Sequence, residues 1–199
     1  MSEATYFLRY ANGGWIMVKT ALQSFTQNVR SQWGPLTSEL AGFCQRQMEE
    51  LLEASPREAW LAALNANQPA SEELYRDADH GFVLLGHAEQ AGLYRPPHDH
   101  GRSWVLYGIQ QGEIEMGTYA RVEGEDGDVR LVKRNTTLVR AGEAQLYLPG
   151  DIHDTRCISD SALLFRFTER DLRVEDRQHR RLTRYVEQNG IWTTEQTSA

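Results

Sequence analysis

GLYRPPHDHGRSWVLYGIQQG, residues 92–112, holds two histidines one residue apart, His98 and His100, behind Pro96-Pro97. Strand side chains alternate, so this spacing points both imidazoles to the same side of an extended strand and Asp99 to the other. Imidazole is the commonest side-chain metal ligand. A second stretch, GEAQLYLPGDIH over residues 142–153, ends in Pro149-Gly150-Asp151-Ile152-His153. A third histidine carried up by a second strand completes one triangular face of a metal site. The other coordination positions are then open for chemistry. His80, His87 and His179 have no such company and read as surface or packing residues.

Around these stretches the chain is strand-rich. Short runs at 82–87, 103–109, 114–122, 129–134, 144–148 and 162–168 alternate with turn residues, and Gly124-Glu125-Asp126-Gly127-Asp128 reads as a hairpin turn. Such a series predicts a sandwich or barrel. The segment before it is helical. Leu22, Phe25 and Val29 recur at helical spacing over 19–32, with Gly34-Pro35 as a stop. Leu40, Phe43, Cys44, Met48, Leu51 and Leu52 share one face over 37–53. Ser55-Pro56-Arg57-Glu58 reads as a capping-box start for a third helix reaching about residue 65. Residues 172–188 also show helical spacing and are expected to close the fold on its outside. Near the N-terminus, 6–10 reads as a short strand and Asn12-Gly13-Gly14 as a turn. The expectation is one domain over 1–199: a helical N-terminal layer at 19–66, a β-barrel at 72–170 and a C-terminal helix at 171–190.

Composition narrows the function classes. A chain of 199 residues can bury a substantial core, and 40% hydrophobic with 25% charged residues is ordinary for a globular domain. A formal charge of −7 with no basic block argues against nucleic-acid binding. No apolar run approaches a membrane span and no signal-peptide core is visible, so a cytoplasmic protein without membrane contact is expected. Two cysteines, Cys44 and Cys157, make no disulfide framework.

The two stretches resemble the paired motifs of the cupin superfamily, whose fold is a double-stranded β-helix, or jelly-roll barrel. The first motif reads Gly92, five residues, His98-Asp99-His100, four residues, Val105, six residues, Gly112. Val105 stands where the family pattern has a ligating glutamate. In the second motif six residues rather than five separate Gly142 from Pro149, and Pro149-Gly150 precede Asp151-Ile152-His153. Within the superfamily the likeness is to thiol dioxygenases of the cysteine and 3-mercaptopropionate type. It implies iron(II) on three histidines without a carboxylate, here His98, His100 and His153. It also allows a homodimer paired through sheet edges. Thiol dioxygenases carry a Ser-x-His-x-Tyr run on a late strand. The matching positions here are Leu163, Phe165 and Phe167, which predicts an apolar wall beside the metal. Their substrate-carboxylate residue falls near Ser71 or Glu72, with Arg76 close by.

From the residues themselves, nitrogen ligation suits iron, zinc, nickel or copper, and manganese is a further alternative. Three neutral imidazoles leave the metal's charge uncompensated, which favours an anionic substrate bound directly to it. Tyr107 shares Val105's face of its strand and is the candidate catalytic donor to bound oxygen or substrate. A core tyrosine bonded to a backbone carbonyl fits the same pattern. Arg102 and Trp104, just after His100, and Tyr147, on the strand leading to His153, are candidate substrate-binding residues. A loop arginine is equally well simply solvated. Taken with the resemblance, which implies iron(II), the reading is an iron(II) dioxygenase acting with dioxygen on a small chelating acid. A lyase, isomerase or hydrolase using the metal as Lewis acid is the alternative, as is a non-catalytic ligand-binding cupin.

Overall fold

The computed structural model describes residues 6–9, 15–124 and 129–194, with side chains from residue 19 onward. Two short strands, β1 (Tyr6–Arg9) and β2 (Trp15–Val18), pair antiparallel. The expected turn at Asn12-Gly13-Gly14 lies outside the described residues. Three helices follow: α1 (Ala21–Gln32), α2 (Ser38–Leu52) and α3 (Ala59–Asn67). Next come β3 (Glu72–Arg76), β4 (Val83–Gln90), β5 (Tyr94–His98), β6 (Val105–Gln111), β7 (Glu113–Glu123) and β8 (Val129–Arg140). Then β9 (Ala144–Tyr147), β10 (Ile152–Cys157) and β11 (Ser161–Thr168) complete the main sheets. Residues 125–128 of the expected hairpin turn lie outside the described residues; β7 and β8 on either side pair antiparallel, with Glu123 opposite Val129.

These strands form two antiparallel sheets ordered β3-β4-β11-β6-β9 and β5-β10-β7-β8. Omitting edge strand β3, the first sheet takes the first, eighth, third and sixth of eight consecutive strands. The second takes the second, seventh, fourth and fifth. That pairing of outer with inner strands is a jelly roll. The fold is mainly β, with the helical layer at its N-terminal side, as expected.

The five-stranded sheet is buried on both faces, and its strands sort residues by parity. On β11, Leu163, Phe165 and Phe167 pack outward with Phe25, Val29, Met48, Leu61 and Trp104 in a core beneath the helices. Ala162 and Leu164 face inward with Tyr107, Ile109, Met116, Val139 and Tyr147 between the sheets. Burial on both faces is why β11 reads as a continuous apolar run rather than an alternating one. The helices approach closely: a Cβ at Gly108 on β6 would lie 2.7 Å from the Met48 sulfur. Gly112, the last glycine of the first motif, has φ +81° and its Cβ position is blocked by the Ser161 carbonyl. The β6–β7 turn therefore accepts no other residue without rearrangement.

Two helical expectations change. α3 begins at Ala59, not at Pro56, and its Glu58 makes no side-chain cap. The Glu58 carboxylate instead accepts the Ala21 N–H at 3.0 and 3.1 Å, and the Trp60 indole N–H at 2.6 Å. The acid that a capping box would turn back on Ser55 caps α1 instead. At the C-terminus, only α4 (Leu172–Arg177) is helical. The remainder crosses the barrel and ends in a hairpin of β12 (Tyr185–Gln188) and β13 (Ile191–Thr194). Asn189 and Gly190, at φ 53° and 81°, form its turn. Asn-Gly is a strong hairpin signal and outweighs the helical spacing of the apolar residues.

No helix among the described residues is long and apolar enough to cross a membrane. Both cysteines are buried, Cys44 beneath the helices and Cys157 between the sheets. Burial pushes the Cys44 thiol up to about 12 and raises that of Cys157. The thiolate is the reactive form. Native protein at neutral pH is therefore expected to show no thiol titratable by an aromatic disulfide reagent, and two after denaturation. One fast-reacting thiol in native protein would contradict this packing.

Candidate metal centre

β5 and β10 are neighbours, and their antiparallel register sets His98 opposite His153. The register shifts just beyond His153, where β5 carries one extra residue relative to β10. His100 follows the end of β5 and folds back toward the pair. Ring centroids are separated by 5.1 Å for His98–His100, 4.7 Å for His98–His153 and 4.9 Å for His100–His153, a nearly equilateral triangle. One nitrogen from each ring lies within 4.8 Å of the others, a geometry that could hold a metal ion. Among the described residues no carboxylate joins the set. Val105, in the glutamate slot, is fully buried in the inter-sheet core.

The surroundings fit a cation on neutral imidazoles. Both ring nitrogens of His153 are buried without a hydrogen-bond partner, an expensive arrangement unless something else takes the lone pair. His98 Nδ1 lies 2.8 Å from the Pro96 carbonyl. A carbonyl only accepts, so Nδ1 carries the proton and Nε2 keeps its lone pair for a ligand role. Burial lowers the proton affinity of His98. Burial, reinforced by the neighbouring imidazoles, holds those of His100 and His153 well below the ordinary value. Asp99 takes no part. Its Oδ1 accepts the Gly101 N–H at 2.9 Å and the Thr183 N–H at 3.0 Å. Its own N–H donates to the Thr183 carbonyl, and His98 bridges to Arg184, so the C-terminal segment is tied across the mouth of the site.

The other expected site residues divide. The Tyr107 hydroxyl lies 3.3 Å from His100 Nε2, and burial raises its pKa, so it is a neutral phenol beside the triangle. The Tyr147 ring stacks on His153 at 3.9 Å between centroids, with its hydroxyl buried and unpartnered. Trp104 goes elsewhere: it is 1% exposed in the core beneath the helices, 6.0 Å from Trp33 and 5.3 Å from Phe167. It precedes Val105 and has the opposite parity. Arg102 is exposed in the loop and does not line the cavity. Arg76 is engaged outside, with Glu73 at 2.6 Å and Asp171 at 2.9 Å.

The expected wall of Phe165 and Phe167 is corrected too. Both face the helices, and the inward residue between them is Arg166. Cross-strand register sets Arg166 between Leu85 on β4 and Tyr107 on β6. A cavity of about 620 Å³ opens in front of His98 and His100, lined by Arg166, Arg95 and, from the C-terminal segment, Arg173, Arg177 and Arg184. Asp176 is the one carboxylate of that lining. A lone arginine inside an apolar strand was the available sequence signal for Arg166. Nothing local marked the C-terminal segment as part of the site.

No family model matches the chain, and no curated protein matches it. Among solved structures it is similar to a cupin domain of Schizosaccharomyces pombe Cnp3. That match has 15% identity, covers 55% of this chain and 69% of that one, and has a TM-score of 0.41. An oxalate oxidase in complex with the substrate analogue glycolate matches at 18% identity over 51% of each chain, TM-score 0.38. KdgF from Halomonas sp. matches at 20% identity over 51% of this chain and 78% of that one, TM-score 0.38. This chain thus spans about half the length of the oxalate oxidase.

Proposed function

We propose that this protein is an iron(II)-dependent dioxygenase of the thiol-dioxygenase kind, acting on a small anionic substrate that chelates the metal. The observation that carries the reading is the triangle of three neutral imidazoles, His100 and His153 buried and His98 half-buried, with no carboxylate beside it among the described residues, opening onto an arginine-lined cavity. Iron(II) held by His98, His100 and His153 would supply the redox chemistry dioxygen needs. A three-histidine site keeps the full divalent charge, and the arginine lining adds to it, so an anion is the favoured guest. With a thiolate substrate, the sulfur gains both atoms of dioxygen and becomes a sulfinate, so no separate reductant is needed. The protein's own part is to bind and orient the acid, exclude water beneath the C-terminal segment and hold a proton at the Tyr107 hydroxyl.

The lining also bears on which acid. Cysteine would bring an ammonium group into a cavity of five arginines and one aspartate. Like charges at short range are unfavourable there. A thiol acid without an amino group suits it better. That expectation now rests on Arg166 and the rim rather than on an apolar wall.

The test is oxygen uptake by iron-loaded protein, with metal content measured in protein purified without added metal. Uptake with 3-mercaptopropionate exceeding that with cysteine, and yielding the sulfinate, is the expected result. Zinc as the resident metal with no oxygen consumed would replace the reading by Lewis-acid chemistry. Within the same assay Tyr107→Phe is expected to slow turnover about a hundredfold at unchanged metal content, the loss typical of one positioned donor. Unchanged turnover would leave Tyr107 a packing residue.

A further inference from the structure

Arg166 is unusual among the arginines of this fold. Arg95 pairs with Glu89 at 2.5 Å, Arg173 with Glu73 at 3.5 Å and Arg184 with Asp176 at 2.6 Å. Arg166 reaches the inner face of the barrel, pairs with no carboxylate among the described residues, and has a buried Nε without a hydrogen-bond partner. Its guanidinium stands beside the Tyr107 hydroxyl. An unpaired guanidinium turned inward is costly.

Its place makes the cost greater. Arg166 lines the same cavity as His98 and His100, and the hydroxyl of its cross-strand neighbour Tyr107 lies 3.3 Å from His100 Nε2. Its positive charge opposes that of any metal dication placed on the histidines. A cation and a dication facing one cavity call for an anion between them. Arg177, on the C-terminal segment, is a second lining arginine with no carboxylate partner among the described residues. The cavity, at about 620 Å³, holds considerably more than a three-carbon acid.

We infer that Arg166 is the substrate's anion-binding residue, and that the substrate is a dicarboxylate-class dianion. One acid group sits on Arg166 beside the metal, and the other reaches the arginines of the C-terminal segment. This rests on the proposed metal-dependent reading for its chemistry, but not for the binding itself. Two anionic groups match two sets of guanidiniums on separate elements, and an occupant so held would also fasten the C-terminal segment over the site. Arginine suits the role because its planar fork takes a carboxylate bidentately.

The inference has a thermodynamic signature that a structural role lacks. If an anion bridges Arg166 and the metal, the anion must tighten metal binding, and the metal must tighten anion binding by the same factor. Metal affinity is measured by chelator competition with and without mercaptosuccinate. In wild type, mercaptosuccinate is expected to raise it at least tenfold, and 3-mercaptopropionate less. Arg166→Gln is expected to bind metal as tightly as wild type or more so without ligand, yet to lose most of that enhancement. Arg166→Lys should recover part of it. Equal enhancement in wild type and Arg166→Gln would overturn the assignment, as would weaker metal binding by ligand-free Arg166→Gln with its fold intact.

A second measurement needs no variant and no metal. Calorimetry of the metal-free wild-type protein is expected to show succinate binding and succinamide, its uncharged counterpart, not binding. Equal behaviour of the two would overturn the anion site. Should the iron-dioxygenase reading fail, through a zinc resident or an absence of oxygen uptake, the preference for succinate over succinamide would still stand. The two failures are therefore distinguishable.

Discussion

His153→Ala is expected to abolish tight metal binding while the protein stays folded. His153 is central to the triangle: it is opposite His98 in the β5–β10 register, its ring is 4.9 Å from that of His100, and Tyr147 stacks on its other face. Both of its nitrogens are buried without partners, so removing the ring leaves no protein group newly unsatisfied. The two cores on either side of the sheet draw on other residues. Losing one of three ligands exceeds the ten- to hundredfold cost seen when only a supporting residue of a metal site is removed. A drop of more than about a hundredfold is therefore expected, read by chelator competition and elemental analysis. His98→Ala and His100→Ala should behave alike. Asp99→Ala should keep its metal, because Asp99 is bound to Gly101 and Thr183 and turned from the triangle. Stoichiometric, tightly held metal in all three histidine variants would refute the assignment.

Phe167→Ala is expected to cost about 3–5 kcal/mol of stability, the range for truncating a buried aromatic ring. Phe167 is fully buried where α1, the 33–37 connection and the outer sheet face meet. Its ring lies 5.7 Å from Phe25, 5.4 Å from Phe82, 5.3 Å from Trp104 and 6.0 Å from Trp33. Such a rigid neighbourhood cannot collapse into the space left behind, which places the loss high in that range. Urea denaturation should show a lower midpoint at unchanged slope. Metal affinity should not change, since the ring points away from the triangle. A large loss of metal binding at modest loss of stability would mean that Phe167 faces the barrel interior after all.

That second outcome bears on how far the sequence could be read. The jelly roll, the helical layer and the three histidines were all legible. Each depends on local rules: histidines one residue apart on an extended segment, glycines where a turn demands positive φ, and apolar residues at strand or helix period. The Gly112 turn shows why the spacing is so informative, because the backbone there leaves no room for a side chain.

Other features were not local. Parity on β11 cannot be assigned from a run apolar on both faces, and the match to the thiol-dioxygenase run alone puts Phe165 and Phe167 on the pocket wall. Only the register with β4 and β6 shows that Arg166 is the inward residue. Trp104 and Val105 are adjacent, yet one belongs to the helix-facing core and the other to the inter-sheet core. Glu58 has the sequence spacing of a local cap and serves a helix 37 residues earlier. The C-terminal segment carries helical spacing, but closes over the cavity through Thr183 and Asp99, which are 84 residues apart. The sequence alone determined which residues can ligate and most of the strands of the barrel, since those follow from side-chain chemistry and short-range periodicity. The tertiary structure decided which face each strand turns inward and what covers the site, because those depend on long-range pairing that no local spacing encodes.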